Sequence, residues 1–456
     1  MPDMNDQPPP PGPKPRQRAV PSGRLSRFGQ FGRLAGGVAG GMIAEGARRL
    51  AAGERPQMRD MLMTPGNFSR LADRLSHLRG AAMKLGQMIS MDAGDMLPPE
   101  LSQLMAGLRE RANHMPPQQL QKLLAREWGA DWRTRFERFE PTPMAAASIG
   151  QVHRARTRDG RDLAIKVQYP GVAESIDADV DNVATLLRVS GLLPKELDIG
   201  PLLGEAKQQL AEEADYHREG AQMARFGALL AGEADFVVPQ LDSEFTTGRV
   251  LAMDFVAGVP IETLVDAPQA ERDRVVTSLL TLLLRELFEF GVMQTDPNFA
   301  NYRYQPETGR LVLLDFGAAR AVEVETRETY RALVKAVLAS DRAAVRLAAV
   351  RAGMLGGRAV ERHGERIDQM IDVVLAKLAQ PGPFDFGDRG FVALLREPGT
   401  VVASDREAWH VPPAALLFVQ RKISGTALLA ARLGARVDVR GLAGAQLAKV
   451  GAAEAS

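Results

Sequence analysis

Four apolar residues, Leu311-Val-Leu-Leu, run straight into Asp315-Phe-Gly317. This pattern predicts a buried strand that delivers a carboxylate into a tight turn at its end. Upstream, Met293-Gln-Thr-Asp296-Pro-Asn-Phe-Ala-Asn301 sets an aspartate five residues ahead of an asparagine. About one β-hairpin's worth of chain, Tyr302-Arg-Tyr to Leu311-Val-Leu-Leu, separates Asp296 from Asp315, and that separation lets both carboxylates reach one metal cluster. In such a cluster Asp296 accepts a proton from, or orients, a nucleophile, while Asn301 and Asp315 offer oxygens to magnesium. The plain alternative for the first segment is a turn, since Asp-Pro commonly starts one.

Two more features precede these in the chain. Leu163-Ala-Ile-Lys166-Val puts one lysine on an otherwise apolar strand. An unpaired buried ammonium is costly, so this lysine needs an anionic partner, usually a phosphate and a helix glutamate. A lysine emerging at a sheet edge is the alternative. Before it, Ala145-Ala-Ala-Ser-Ile-Gly-Gln-Val152 stands where a G-x-G-x-x-G-x-V phosphate loop would stand. Ala145 and Ala147 replace the first two glycines, and Gly150 and Val152 remain. Alanine disfavours positive φ, so this loop is expected to hug phosphates differently from a glycine loop. Together the four features keep the order, and nearly the spacing, that kinase-type phosphoryl transfer requires. Any one of them is a weak signal, and four in order make chance remote. The expected ligands are ATP or ADP with Mg²⁺. Met253-Asp254-Phe255-Val256 is placed like the strand joining two lobes, where backbone groups bind adenine; a buried strand with no ligand is the alternative. A second Asp-Phe-Gly, Asp385-Phe386-Gly387, follows Pro381-Gly-Pro383 with no catalytic loop ahead of it and reads as a structural turn.

The 456 residues suit a two-lobed domain with extensions. Residues 1–22, rich in Pro, Gln and Arg, read as a disordered arm. Residues 23–140 read as a helical extension that begins Gly- and Ala-rich, with Gly32, Gly36 and Gly40 on one helical face. Residues 141–256 read as one lobe with inserted helices, 257–442 as the other, and 443–456 as a tail. Within the lobes, strands are expected at Ala147–Val152, Asp162–Val167, Phe236–Val238 and Val250–Phe255, and helices over 173–190, over 200–231 and up to Phe290. From Thr326 onward the chain reads as mostly helical. A formal net charge of +1 gives no reason to expect nucleic acid as a partner. The absence of cysteine excludes disulfides and thiol chemistry, and six scattered histidines argue against a zinc site. No apolar run reaches the roughly 18 residues of a membrane span, and no secretory signal is visible, so an intracellular protein is expected. Between Asp6 and Glu45 every charge is basic, which fits a membrane-surface or helix-pairing segment as well as a Gly-rich linker with ordinary solvating charges.

These residues resemble the UbiB/ADCK family of atypical kinase-like proteins linked to ubiquinone biosynthesis, over about Gly23 to Leu442. Ala145, Ala146, Ala147, Ser148, Ile149, Gly150 and Val152 look like its alanine-rich loop, and Lys84-Leu-Gly86-Gln87 looks like its K-x-G-Q motif. Glu213-Ala-Asp215-Tyr-His-Arg-Glu219 is similar to its E-x-D-Y-x-x-E run, and Gln294-Thr-Asp-Pro-Asn298 resembles its coenzyme Q branch. Gln294-Thr295 replaces an ordinary kinase's His-Arg, and one departure from the family is Gly220, where it more often has alanine. The resemblance implies a two-lobed protein-kinase-like α+β fold with an all-helical N-terminal extension and extra C-terminal helices. It makes Glu219 the partner of Lys166, and turns Glu213 and Asp215 toward the Lys84–Gln87 helix, which covers the site where a kinase holds a protein substrate. Without the family, Lys84 and Gln87 are polar residues of an amphipathic helix.

Three functions remain in view: an ATPase or a small-molecule or lipid-directed kinase supporting ubiquinone biosynthesis, a protein kinase, and a nucleotide-gated scaffold. The stretch after Gly317 has no Ala-Pro-Glu anchor and leaves little room to dock a peptide, which counts against a protein kinase. Lys166, Asp296, Asn301 and Asp315 are all present, which counts against a dead site. The expected partners are membrane lipids or quinone-like precursors, enzymes of ubiquinone biosynthesis and a second copy of the chain. The expected place is peripheral, on the cytoplasmic side of a bacterial inner membrane.

Overall fold

The computed structural model describes residues 115–189, 200–388, 390–408 and 414–455. The Pro-rich arm, the Gly32–Gly40 face and the Lys84–Gln87 motif lie outside them. In chain order come α1 (Pro117–Trp128), β1 (Phe136–Phe139), β2 (Ala145–Ala146), β3 (Gly150–Thr157), β4 (Asp162–Gln168), α2 (Ile176–Val189), α3 (Gly200–Glu213) and α4 (Tyr216–Leu229). Then follow β5 (Phe236–Val237), β6 (Val250–Asp254), β7 (Val259–Pro260), α5 (Gln269–Arg285), β8 (Val292–Gln294), β9 (Tyr302–Gln305), β10 (Arg310–Leu313) and β11 (Ala319–Ala321). The last stretch holds α6 (Val324–Leu338), α7 (Arg342–Arg351), α8 (Gly357–Leu378), β12 (Phe384–Asp385), α9 (Gly390–Ser404), α10 (Ala414–Leu433), β13 (Arg436–Val437) and α11 (Val439–Ala455). The described residues cluster into two compact units, one running up to His217 and including Leu241–Phe255, the other made of Arg218–Gln240 and the described residues from Val256 onward.

The first unit is built on an antiparallel sheet ordered β1-β3-β4-β6, with β2 on β3. Its core forms because α1 carries Leu120, Leu123 and Leu124 on one face, at helical spacing, against Leu163, Ile165 and Val167 of β4. Pro117 opens α1, where its missing N–H costs nothing, and Gly129, at φ 92°, ends it. An aromatic cluster closes the layer: Trp128 stands 5.5 Å from Phe136 and 5.4 Å from Phe245, and its indole N–H donates to Phe245 O at 3.0 Å.

Two expectations need correction here. The strand expected over Ala147–Val152 is a hairpin, with β2 ending at Ala146, Ala147 N donating to Gly150 O at 2.9 Å, and β3 beginning at Gly150. The helix expected over 200–231 breaks at Ala214–Asp215. Gln168 Nε2 donates to Ala214 O at 2.9 Å and satisfies a carbonyl that the ending helix leaves open.

The second unit holds a four-stranded sheet, β5-β10-β9-β7, and two short ladders, β8 with β11 and β12 with β13. Helix α5 buries Val275, Val276, Leu279, Leu282 and Leu283, a continuous apolar stripe. It runs into a π turn, Glu286–Phe290, stopped by Gly291 at φ 62°. Leu287, Phe288 and Met293 then pack with Tyr330, Leu416, Phe418 and Val419, so α6 and α10 close over the π turn. From Val324 onward the structure is predominantly helical, as the sequence predicts.

One ionic cluster pins α11 to this turn. Glu289 accepts from Arg285, from Lys449 at 3.0 Å and from Gln446 at 3.3 Å. Burial raises its pKa, but these donors outweigh burial and hold it at about 2, below the ordinary 4.5. A depressed carboxylate stabilises the fold above its unfolded pKa and loses that effect as pH falls through its folded one. The thermal midpoint of the wild type should therefore exceed that of Glu289→Gln at pH 6, with the gap closing between pH 4.5 and about 2. A gap that stays constant across that window would refute the role given to Glu289.

Candidate active site

In the first unit, Lys166 sits mid-strand on β4, opposite Val152 on one side and Leu251 on the other. Its neighbours Ile165 and Val167 are wholly buried and Lys166 itself is 8% exposed, so its place in the strand forces the ammonium into a largely dry environment. The ammonium lies 5.3 Å from the ring centroid of buried Tyr216, a cation–π distance. The sheet-edge alternative is thus excluded, because β4 has β3 and β6 on either side.

The alanine-rich segment is the β2–β3 hairpin, with Ala145 opposite Val152. Among the described residues Ser340 is the single non-glycine with positive φ, so Ala145 and Ala147 take backbone conformations that suit alanine. Gly150 is needed for a different reason: a Cβ there would collide with the backbone carbonyl oxygen of Val167 and come within 3.0 Å of Tyr216 OH. This glycine permits close approach of β3 to β4 rather than an unusual turn. Ser148 Oγ donates at 2.8 Å to Glu213 Oε2, on the last residue of α3. A carboxylate is disfavoured at a helix C-terminus, so this hydrogen bond both anchors Glu213 and ties it to the hairpin. Because the helix breaks at Ala214–Asp215, Glu213 and Asp215 do not share with Glu219 the one continuous helix expected over 200–231. Glu219 itself is buried, on the first turn of α4.

Met253 and Asp254 close β6 against Ala164 and Leu163. Phe255 N donates to Asp162 O at 2.8 Å, and the Arg154 guanidinium covers the Phe255 ring at 4.0 Å. That amide is therefore occupied by the sheet, and any adenine contact falls to the other backbone groups of 253–256.

In the second unit, β9 and β10 form the hairpin expected between the two aspartates, with Tyr304 opposite Leu311. Its two flanks are joined by backbone bonds. Leu314 N donates to Asn301 O at 3.0 Å, and β8 pairs with β11 through Gln294 opposite Ala319. Thr295 Oγ1 donates to Ala318 O at 2.8 Å, a buried bond that fixes the residue next to Asp296. Asn301 Nδ2 donates to Asp296 O at 3.2 Å, which orients the amide by its nitrogen and leaves its oxygen for a cation. Asp315 Oδ1 accepts from Gly317 N at 3.1 Å, and Phe316 packs on Phe226 at 5.1 Å, so the Asp-Phe-Gly turn is held from both sides. The structure thus brings the segments bearing Asp296, Asn301 and Asp315 together. The second motif makes the same local turn, with Asp385 Oδ1 accepting from Gly387 N at 2.8 Å, but it lies on the β12–β13 ladder, apart from any such hairpin.

These donors fit magnesium. Carboxylate and amide oxygens are hard ligands, and Mg²⁺ is usually held by one or two carboxylates plus substrate phosphates rather than by an all-protein cage. Among the described residues no group of three or more His, Cys, Asp or Glu is arranged to hold a metal.

Sequence reasoning missed several residues that shape this site. Arg218 of α4 donates to the carbonyls of Gly317, at 2.7 Å, and Ala319, bracketing the Asp-Phe-Gly turn. Below the Asp296 loop lies a buried ammonium, Lys422 of α10, bonded to Tyr302 OH at 3.1 Å and Gln294 Oε1 at 3.3 Å. The one sequence signal for it was Arg421-Lys422, a basic pair inside the apolar run Leu416 to Leu429.

Residues 107–349 match the ABC1 atypical kinase-like domain, and the atypical kinase COQ8 of Saccharomyces cerevisiae mitochondria is 37% identical over 428 residues, 92% of this chain and 84% of that protein. The chain belongs to the ABC1 atypical kinase-like family. The mitochondrial atypical kinase coq-8 of Caenorhabditis elegans is 37% identical over 435 residues, with 93% of this chain matched and 57% of that longer protein spanned. Among solved structures, the complex of Rv3197 with erythromycin from Mycobacterium tuberculosis superposes with a TM-score of 0.57 at 27% identity, over 82% of this chain and 94% of that one. The fold is accordingly the protein-kinase-like α+β fold, a nucleotide-binding one, and α8 to α11 are helices beyond the family's matched domain. Among the described residues no helix is long and apolar enough to cross a membrane.

Proposed function

We propose that this chain binds ATP with Mg²⁺ and works as an ATPase or a small-molecule or lipid-directed kinase supporting ubiquinone biosynthesis at a membrane surface. The observation that carries the reading is the hydrogen-bonded frame of the β8–β11 segment, which gathers Asp296, Asn301 and Asp315, in a chain whose relatives are named atypical kinases. In the proposed division, 141–256 supplies the phosphate hairpin, Lys166 and the adenine strand, and 257–442 supplies the acidic site.

Each residue then has a task. Lys166 holds the α- and β-phosphates and is itself held by Glu219. The 145–152 hairpin covers the phosphates, and the backbone of 253–256 receives adenine. Asp315 and Asn301 hold magnesium, which when bound neutralises charge on the β- and γ-phosphates. Asp296 orients a water or a substrate hydroxyl and takes its proton at a carboxylate oxygen. The nucleophile's oxygen bonds to the γ-phosphorus as the bond from that phosphorus to the bridging oxygen breaks, and the electron pair leaves with ADP.

A nucleotide-gated scaffold is the second reading, favoured by Ser148–Glu213, a bond that couples the phosphate hairpin to a helix end and gives a nucleotide something to move. A protein kinase fits less well, because β11 and then α6, from Val324, begin soon after Gly317. The basic 1–45 segment, a second copy of the chain and enzymes of the same pathway are the proposed contacts at the membrane. Phosphate release from ATP, measured with and without Mg²⁺, anionic liposomes and a quinone-precursor-like phenol, decides among these. Mg²⁺-dependent release that rises with liposomes is the expected result. Tight nucleotide binding with no release in any arm would overturn the enzyme reading and favour the scaffold.

A further inference from the structure

Lys422 is buried at the centre of the second unit, its side chain 3% exposed, with three oxygens around its ammonium. Glu286 Oε2 lies at 3.4 Å, Gln294 Oε1 at 3.3 Å and Tyr302 OH at 3.1 Å. Burial alone would lower the lysine pKa, but Glu286 and Tyr302 more than reverse this, so the ammonium stays charged. The positions of the partners matter more than their number. Gln294 ends β8, two residues before Asp296, and Tyr302 opens β9, directly after Asn301. Glu286 opens the π turn that leads into β8, and its Oε1 accepts from Gln294 N at 3.2 Å. One cation therefore grips both ends of the 295–301 loop. Three residues along the same helix, Gly425 lies close beneath Pro297 of that loop.

A buried ion pair is an inefficient way to stabilise a core, since apolar residues of similar volume often do as well or better. Its use here calls for a role that packing does not supply. π turns inside helices are frequently found at functional sites, and this one places Glu286 where Lys422 and Gln294 N both reach it.

We infer that Lys422, with Glu286, Gln294 and Tyr302, is a positioning set that holds the Asp296–Asn301 loop in its working geometry. The inference rests on the proposed role of Asp296. It assigns to Gln294 the task of linking the buried cation to the loop, so the glutamine standing where kinases carry histidine has a structural purpose here.

The test compares wild type with three variants of the full chain: Lys422→Met, the double variant Lys422→Met with Glu286→Gln, and Tyr302→Phe. Removing Lys422 alone leaves Glu286 uncompensated and lowers the unfolding midpoint; the double variant recovers most of that loss. Two readouts are taken on the double variant and on Tyr302→Phe, at a temperature well below the midpoint of each. The first is Mg²⁺-dependent phosphate release, where kcat should fall at least tenfold in the double variant and a few-fold in Tyr302→Phe, with KM for ATP within threefold. The second is amide hydrogen exchange, which should quicken across 295–301 while β9 and β10 keep their protection. Normal kcat and unchanged exchange in the double variant would overturn the inference and leave Lys422 a packing residue. If wild type releases no phosphate, the enzyme reading fails, and the exchange measurement still decides whether Lys422 holds the loop.

Discussion

Replacing Asp315 with asparagine should abolish Mg²⁺-dependent phosphate release and weaken Mg²⁺-nucleotide binding, whereas Asp296→Asn should slow release by roughly 10²–10⁴-fold with nucleotide affinity nearly unchanged. The two carboxylates sit on the same frame yet differ in their chemistry. Asp315 follows a buried strand, and its Oδ1 is already fixed by Gly317 N, so the turn holds the carboxylate in place. Asparagine keeps the shape and one oxygen but removes the charge that magnesium requires, and little affinity for the metal should remain. Asp296 is placed to take a proton, and the amide of asparagine cannot, so the loss falls on kcat alone. Nucleotide binding followed by fluorescence with and without Mg²⁺, beside phosphate release, separates the two. Equal losses of affinity in both variants would mean that Asp296 is a metal ligand and that the roles assigned above are wrong.

Gly425→Ala should be strongly damaging to the second unit. A Cβ at this position would fall well inside contact distance of Pro297 Cγ and Cβ, and a pyrrolidine ring cannot rotate away. Either α10 or the Asp296 loop must shift. Overpacking of this kind costs about 1–3 kcal/mol, and here the strain is delivered one residue from the proposed base. The denaturant midpoint should fall accordingly, and residual phosphate release should be depressed further than the unfolded fraction accounts for. A variant with a wild-type midpoint and full release would show that Pro297 has room to move, and would weaken the case that α10 supports the loop.

The order of Lys166, Asp296, Asn301 and Asp315 along the chain was enough to read a kinase-like site, because each sits in a short motif whose pattern is local. An apolar strand ending in Asp-Phe-Gly, an aspartate five residues before an asparagine, and one lysine within a valine- and isoleucine-rich strand carry their meaning within ten residues. The hairpin between the two aspartates followed from loop length and alternation, and it is present as β9 and β10. The break at Ala214–Asp215 was not legible, since the group that satisfies its open carbonyl is a side chain, Gln168, reaching from a strand 46 residues away. The strand β8 was missed because three residues, Val292–Gln294, are too few to show a period, and only pairing with β11 defines them.

By itself, then, the sequence determined the class of fold and the chemical groups proposed for the site, since those depend on residue type and near spacing. Tertiary structure alone decided what holds the site in shape. Lys422 meets Gln294 across 128 residues of chain and Tyr302 across 120, and no local pattern tells a buried, triply bonded lysine from one that faces water. Likewise, only the packing of α10 on the loop explains Gly425, and only the close approach of β3 to β4 explains why Gly150 survives in a loop that has exchanged its other glycines for alanine. Both are demands of excluded volume between segments distant in sequence, and excluded volume is defined only once the chain has folded.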